Sequence, residues 1–228
     1  MTQLDRVIIG ISGASGAAIG VRVVELLARG GTCETHLIVS PAGERTLREE
    51  VGADALPSVR DLASRCHPYE DIGASIASGS FRAAGMIVAP CSMRSLSAIA
   101  GSHSDNLLAR SADVQLKERR RLVLLCRESP LHLGHLRAMV QATEIGAIIA
   151  PPVPAFYLRP NSLAEMIDHI ARRAIQLLDL PHTTVETPEW GGLVMAGLDP
   201  AIQEQPAAES VRNAEDGVAP GWPGQARP

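Results

Sequence analysis

Short, nearly continuous apolar runs set the strongest constraint on how this chain folds. Val7 to Ile11, His36 to Val39, Met86 to Ala89 and Leu122 to Cys126 are such runs, and Ala147 to Ala150 is a fifth. Runs rich in Ile, Val and Leu suit strands covered on both faces, as in a parallel sheet. Between them lie stretches with helical spacing: Ala17 to Arg29, Gly43 to Glu50, Arg94 to Ala100, Leu107 to Arg119, Leu133 to Ile145 and Leu163 to Leu178. Strand and helix in alternation predict an α/β domain with a doubly wound, mostly parallel sheet in three layers, Rossmann-like or flavodoxin-like. Ligands of such sheets sit beyond the carboxyl ends of the strands. The turns at those ends are Ser12 to Gly16, Ser40, Pro90 to Ser95 and Arg127 to Ser129, so one rim is expected to carry function. Asp54 to Tyr69 has weak periodicity and is predicted to be an irregular connection with room for one short strand.

Composition narrows the class. With 228 residues, 46% hydrophobic and 20% charged, the chain is long enough for one well-buried domain and short for two. A formal net charge of -4 and a pI near 6.0 give no general basic footprint, so neither nucleic acid nor a membrane is the expected partner. No apolar run approaches the roughly 18 residues of a spanning helix, and Met1 to Arg6 lacks a secretory pattern, so a cytoplasmic location is expected. Cys33, Cys66, Cys91 and Cys126 stand far apart in sequence without zinc spacing and read as reduced thiols. After Gly192 the chain is rich in Ala, Pro, Gly and Glu without periodicity. The predicted organisation is one domain over 1–192 and a mostly disordered tail over 193–228.

Gly10-Ile11-Ser12-Gly13-Ala14-Ser15-Gly16 follows a strand and opens a helix, so its backbone N–H groups can hold an anion, although such turns also serve only to pack a helix on a strand. No Gly-Lys-Ser/Thr follows, and the spacing is not G-x-G-x-x-G with an acidic residue about 20 positions on, which disfavours ATP and NAD. Pro90-Cys91-Ser92-Met93-Arg94-Ser95 repeats the arrangement with two hydroxyls and a cation; capping alone is the alternative for Ser92, as for Ser40 before Pro41. Arg110, Lys117, Arg119, Arg120, Arg121 and Arg127 concentrate positive charge in an acidic chain. Arg127, at a strand end, reads as a phosphate ligand, whereas Arg120 and Arg121 read as solvated cations complementing a helix C-terminus. His132 and His135 are spaced for joint metal ligation on a helix but read as surface or cap residues, and no metal is expected. Aromatic residues make up only 3%, which makes Tyr157 and Trp190 conspicuous, though routine packing accounts for both.

The ordered set Gly10 to Gly16, Ala77-Ser78-Gly79-Ser80, Pro90-Cys91-Ser92, Ala112-Asp113-Val114 with Lys117-Glu118-Arg119-Arg120, Arg127-Glu128-Ser129-Pro130-Leu131 and Pro154-Ala155-Phe156-Tyr157 resembles the UbiX-type flavin prenyltransferases, from about Val7 to Trp190. The resemblance implies an enzyme that joins the dimethylallyl group of dimethylallyl phosphate to N5 and C6 of reduced FMN, making prenylated FMN for UbiD-type decarboxylases. It implies FMN against Gly13, Ala14, Ser15, Ser40, Ser92, Met93, Arg94, Ser95 and Arg127. It places Arg110, Lys117, Glu128, Tyr157 and Arg173 at the prenyl phosphate, and Ser15, Glu50 and Trp190 at the reacting centre. The cations Lys117, Arg110 and Arg173 would stabilise the departing phosphate, so no metal is required. Glu128, the released phosphate, or a relay of Ser15 and Glu50 are the proton acceptors the resemblance leaves open. It further implies a homo-oligomer, a dodecamer with sites at subunit interfaces.

Two other functions share the fold. A flavin-dependent cysteine decarboxylase would carry an Asn in the turn matching Pro90 to Ser95 and a His near Ala74 to Ser80; this chain has Arg94 and no such His. A non-enzymatic FMN carrier would bind flavin yet tolerate loss of Glu128.

Overall fold

Each apolar run becomes a strand of one sheet. In a computed structural model, which describes residues 4–187, the strands are β1 (Asp5–Ile11), β2 (Cys33–Val39), β3 (Arg65–His67), β4 (Gly85–Cys91), β5 (Arg121–Cys126) and β6 (Ile148–Ile149). They pair in parallel throughout, in the order β3-β2-β1-β4-β5-β6. This is the Rossmann order, in which the chain winds outward from β1 through β2 and β3 and then returns to β1's other side as β4. The carboxyl ends of β1 and β4 therefore flank the switch point where such sheets bind ligands. Trp190 and the segment 193–228 lie outside the described residues; the elements above belong to the unit Met1–Glu189, and a second unit spans Trp190–Pro228.

Helices cover both faces. On one side α1 (Ala17–Gly30), α2 (Pro41–Glu50), α3 (Ala55–Leu62) and α7 (Leu163–Gln176) pack on Ile9, Ile11, Leu37 and Ile87. On the other, α4 (Met93–Ala100), α5 (Leu107–Lys117) and α6 (Leu133–Glu144) pack on Ile8, Met86, Val88 and Leu124, together with a 3-10 turn at Ser75–Ala77. The expected connection over 54–69 contains the short strand and also α3, a helix the spacing did not reveal. Only Ala55 and Val59 of α3 are buried, too few to write a stripe.

Local chemistry sets the helix starts. Ser40 caps α2 by accepting from the Gly43 N–H at 3.0 Å, with Pro41 at the first helical position. Ser92 caps α4 through the Ser95 N–H at 3.2 Å, and Asn106 caps α5 through the Ala109 N–H at 2.9 Å. Gly20 in α1 has no substitute, because a Cβ there would stand 2.2 Å from the Ala89 carbonyl oxygen. That close approach seats α1 directly on β4.

A polar cluster gathers around a buried histidine where β2 pairs with β3. His36, 1% exposed, pairs its Nδ1 with Nε2 of His67 at 2.9 Å and meets the Phe81 ring edge-on at 4.9 Å. Its Nε2 lies 3.4 Å from a Glu34 carboxylate oxygen, which Arg6 also holds from the other oxygen at 3.0 Å. Burial pushes the His36 pKa down from 6.5 to about 4; Glu34 opposes the shift, and His67, Arg65 and Arg6 reinforce it. Unfolded chains therefore bind a proton between pH 6.5 and about 4 that the folded chain refuses, so stability is lost as pH falls through that window. The full loss is on the order of 3 kcal/mol. Denaturant unfolding at pH 7 and pH 4.5 should show this fall, and His36→Gln should flatten it; equal pH slopes in the two proteins would remove His36 as its source.

Candidate functional site

The rim at the switch point is stitched by a buried hydroxyl. Ser12, 1% exposed, donates its O–H to the Pro90 carbonyl at 2.9 Å, and its Oγ accepts the Ser92 N–H at 2.8 Å. One side chain thereby fixes the β1 turn to the β4 turn. Neighbouring bonds extend the stitching: Ser40 N–H to the Ile11 carbonyl at 2.9 Å, and Arg127 N–H to the Cys91 carbonyl at 3.1 Å. The rim's glycines follow from the same crowding. A Cβ on Gly13 would fall 2.3 Å from that of Ala42, and one on Gly43 would fall 2.5 Å from the Ile11 carbonyl oxygen. Ser12 was legible as a rim hydroxyl, but its bridging role was not.

Glu50 reaches from the end of α2 to the start of α1. Its Oε2 accepts the N–H groups of Gly16 at 2.8 Å and Ala17 at 3.0 Å, and its carboxylate also takes a hydrogen bond from Ser15. Burial alone would raise the Glu50 pKa, but the Ser15 hydroxyl, the two N–H groups and the charge of Arg127 outweigh it and hold it below the usual carboxylate range. Glu50 is thus a fixed anion at neutral pH. The structure corrects one expectation here: the two N–H groups that open α1 are taken by the chain's own carboxylate rather than left for a ligand's phosphate. The neighbouring Glu49 points elsewhere, to Arg45 at 2.8 Å on the surface.

At the second turn, Ser92 and Ser95 are joined through their hydroxyls at 3.1 Å. Arg94 stands in the first turn of α4 and shares a small hollow with Ser95, Tyr69, Asp105 and Asn106. Met93 packs against the α4–α5 side of the core. The α4 N-terminus thus keeps donors and a cation where α1 has an anion.

The expected phosphate ligands occupy separate places in a single chain. Arg110, in the first turns of α5, pairs with Asp113 at 2.9 Å. Lys117 ends the same helix, about 10 Å further along, and pairs with Glu118. β5 begins only at Arg121, so Lys117 lies at the amino edge of the sheet while Arg127 emerges from the carboxyl edge. Glu128 is exposed and accepts the Ser129 N–H at 3.0 Å. Tyr157 sits in a short turn at Phe156–Leu158, 42% exposed. Arg173, exposed on α7, bonds Gln176 at 2.5 Å, whereas its neighbour Arg172 is tied to Asp168 at 2.6 Å and the Glu186 carbonyl at 2.8 Å. Since α5 and α7 cover opposite faces of the sheet, the sheet itself stands between Lys117 and Arg173. Ser15, Glu50 and Arg127 are brought together; Lys117 and Arg173 are not.

Arg120 departs from the expected solvated role. Its guanidinium, 17% exposed, donates to the carbonyls of Phe81 at 2.7 Å and Gly79 at 2.8 Å. Arg121 does remain at the surface, paired with Asp179 at 2.9 Å. His132 caps α6 by accepting the Gly134 N–H at 3.0 Å, and its ring lies 3.6 Å from that of His135. Among the described residues, no group of three metal-ligating side chains gathers, and no helix is long and apolar enough to cross a membrane.

Comparison with known proteins places these features. Residues 1–160 match the family model described as Flavoprotein. The flavin prenyltransferase UbiX of Thauera aromatica is 53% identical over 175 residues, which covers 77% of this chain and 89% of that one. The crystal structure of AnUbiX (PadA1) in complex with FMN and dimethylallyl pyrophosphate superposes with a TM-score of 0.78 at 44% identity, covering 83% of this chain and 99% of that one. A dodecameric FMN-dependent UbiX-like decarboxylase from Escherichia coli O157:H7 superposes with a TM-score of 0.77 at 39% identity, covering 82% and 100%.

Proposed function

The chain belongs to the UbiX-type flavin prenyltransferases, and from that premise we propose that it transfers the dimethylallyl group of dimethylallyl phosphate to N5 and C6 of reduced FMN. Residues 1–192 are the prenyltransferase domain in this reading, acting in the cytoplasm, with a UbiD-type decarboxylase as recipient of the product. The observation that carries it is the fixed Ser15–Glu50 pair facing Arg127 at the switch point of the sheet.

The rim suits FMN in shape and in donors. Gly13 gives the β1 turn its side-chain-free approach to α2, and Ser40, Ser92, Arg94 and Ser95 offer hydroxyls, amides and a cation for a phosphate and ribityl chain. Gly13, Ala14, Ser15, Ser40, Ser92, Met93, Arg94, Ser95 and Arg127 hold the flavin. Reduced FMN, when bound, supplies the two nucleophilic positions. Arg110, Lys117, Tyr157 and Arg173 hold the donor phosphate and stabilise the charge that grows on its oxygens as the allylic bond breaks. Trp190, which the resemblance assigns to the reacting centre, lies outside the described residues. Ser15 donates to Glu50, which leaves the hydroxyl's lone pairs free to receive a proton while its own proton passes to the Glu50 carboxylate and neutralises it. Glu128, beside Arg127, and the released phosphate are the other candidate acceptors.

A homo-oligomer, of the dodecameric kind seen in the Escherichia coli relative, completes the site. α6 supports this: Leu133, Leu136 and Val140 recur on one stripe and are 58%, 45% and 57% exposed, while Ala142 is the one residue of this helix that is buried. A stripe of that kind fits a second copy better than water. Anaerobic incubation with reduced FMN and dimethylallyl phosphate, followed by mass spectrometry of the released flavin, tests the activity. The expected result is a protein-dependent gain of one five-carbon unit. Unmodified flavin with either the phosphate or the pyrophosphate donor would overturn it.

A further inference from the structure

We infer that Arg120 is a positioning residue for Lys117, acting by clamping the 78–81 loop beneath the end of α5. The inference rests on reading Lys117 as a ligand of the donor phosphate. α5 ends in a turn in which the Arg119 N–H bonds the Leu116 carbonyl at 3.0 Å and the Arg120 N–H bonds the Gln115 carbonyl at 2.8 Å. Arg119 takes the left-handed conformation there, with φ 57°. That turn sends the Arg120 side chain back under the helix, where it donates to the Gly79 and Phe81 carbonyls at 2.8 and 2.7 Å. Phe81 is itself held from behind by the His36 ring at 4.9 Å and by Arg6 over its face at 5.0 Å.

The clamped loop presses against Lys117 at one point. A Cβ on Gly79 would lie 2.6 Å from Lys117 Nζ and 2.1 Å from a Glu118 oxygen. Gly79 has no positive φ, so its backbone would accept alanine; the missing side chain makes room for the Lys117–Glu118 pair. Glu118 is held on its other oxygen by Arg120 at 4.0 Å. The loop backbone and Glu118 thus fence the ammonium, and Arg120 holds both of them in place. Without the fence, a lysine at a helix end samples many rotamers, and a displacement of about 1 Å from a transferring phosphate is enough to slow turnover strongly.

The test uses Arg120→Ala and Gly79→Ala, each alone and combined with Lys117→Ala. The reactivity of Lys117 toward acetic anhydride, read by peptide mass spectrometry, reports the fence whether or not the donor binds. It should rise severalfold in both single variants. In steady-state prenyl transfer, both should raise the KM for dimethylallyl phosphate about tenfold while FMN affinity stays within about twofold, and neither should add to the defect of Lys117→Ala. Unchanged Lys117 reactivity overturns the inference even if the protein proves not to transfer prenyl groups. So does an active protein whose donor KM is unmoved, whose FMN affinity falls in parallel, or whose Arg120 and Lys117 defects simply add. Gly79→Ala guards against loss of fold in Arg120→Ala, since it leaves the clamp's hydrogen bonds in place.

Discussion

Replacing Glu50 with glutamine is expected to lower the turnover of prenyl transfer by about two to four orders of magnitude, with the donor KM within about twofold of its original value. Glutamine keeps an oxygen that can accept from Gly16 and Ala17, so the start of α1 stays capped. What it removes is the negative charge that faces Arg127 and orients the Ser15 hydroxyl. Ser15 would no longer be bound to point its proton at position 50, and a proton passing through it would have no anion to settle on. Ser15→Ala should reproduce most of the defect, and the double variant should be little worse than the more damaged single, because the two side chains act as one unit. Loss of the charge also costs folding stability, about 0.5–1 kcal/mol for an exposed carboxylate at a helix N-terminus. In the unsubstituted protein that contribution is present above the ordinary Glu pKa of 4.5 and fades as pH falls through the lowered folded value. Turnover near the original rate in Glu50→Gln would transfer the proton to Glu128 or to the released phosphate.

What could be read from the sequence depended on how local its cause was. Strands β1, β2, β4 and β5 were legible because a strand buried on both faces writes itself as an unbroken run, as Val7 to Ile11 does with exposure below 1% at Val7, Ile8, Ile9 and Ile11. The caps of α2 and α4 were legible for the same reason: Ser40 and Ser92 find their partners three residues away. α3 was hidden because Ala55 and Val59 are its whole buried face. Glu50 was named for the reacting centre only by resemblance, since nothing near it in sequence announces that it caps a helix 34 residues earlier. Arg120 shows the same limit more sharply. Among Lys117, Arg119 and Arg121 it looks like one more solvated cation, and its partners, Gly79 and Phe81, lie 41 and 39 residues upstream. Long-range pairing carries no local signal, and the site is made mostly of such pairs.

A mixture of Lys117→Ala and Arg173→Ala subunits, dissociated and reassembled together, is expected to recover about a quarter of the original activity, although each variant alone retains about 1% or less. The reason lies in the layers. Lys117 ends α5 on one face of the sheet, and Arg173 projects from α7 on the other, so one chain does not bring both to one phosphate. If each site takes Lys117 from one copy and Arg173 from another, random mixing leaves about one site in four with both cations intact. If both came from one chain, every mixed site would lack one of them and activity would stay at the level of the single variants. The exposed α6 stripe offers a second reading of the same geometry. Leu136→Asp with Val140→Asp should yield smaller oligomers by light scattering and lose transfer with them, because it separates the copies without touching either cation. Recovery on mixing, together with loss on dissociation, would tie the chemistry to the contact between copies; an active small oligomer would place both cations within one chain and require α5 or α7 to move.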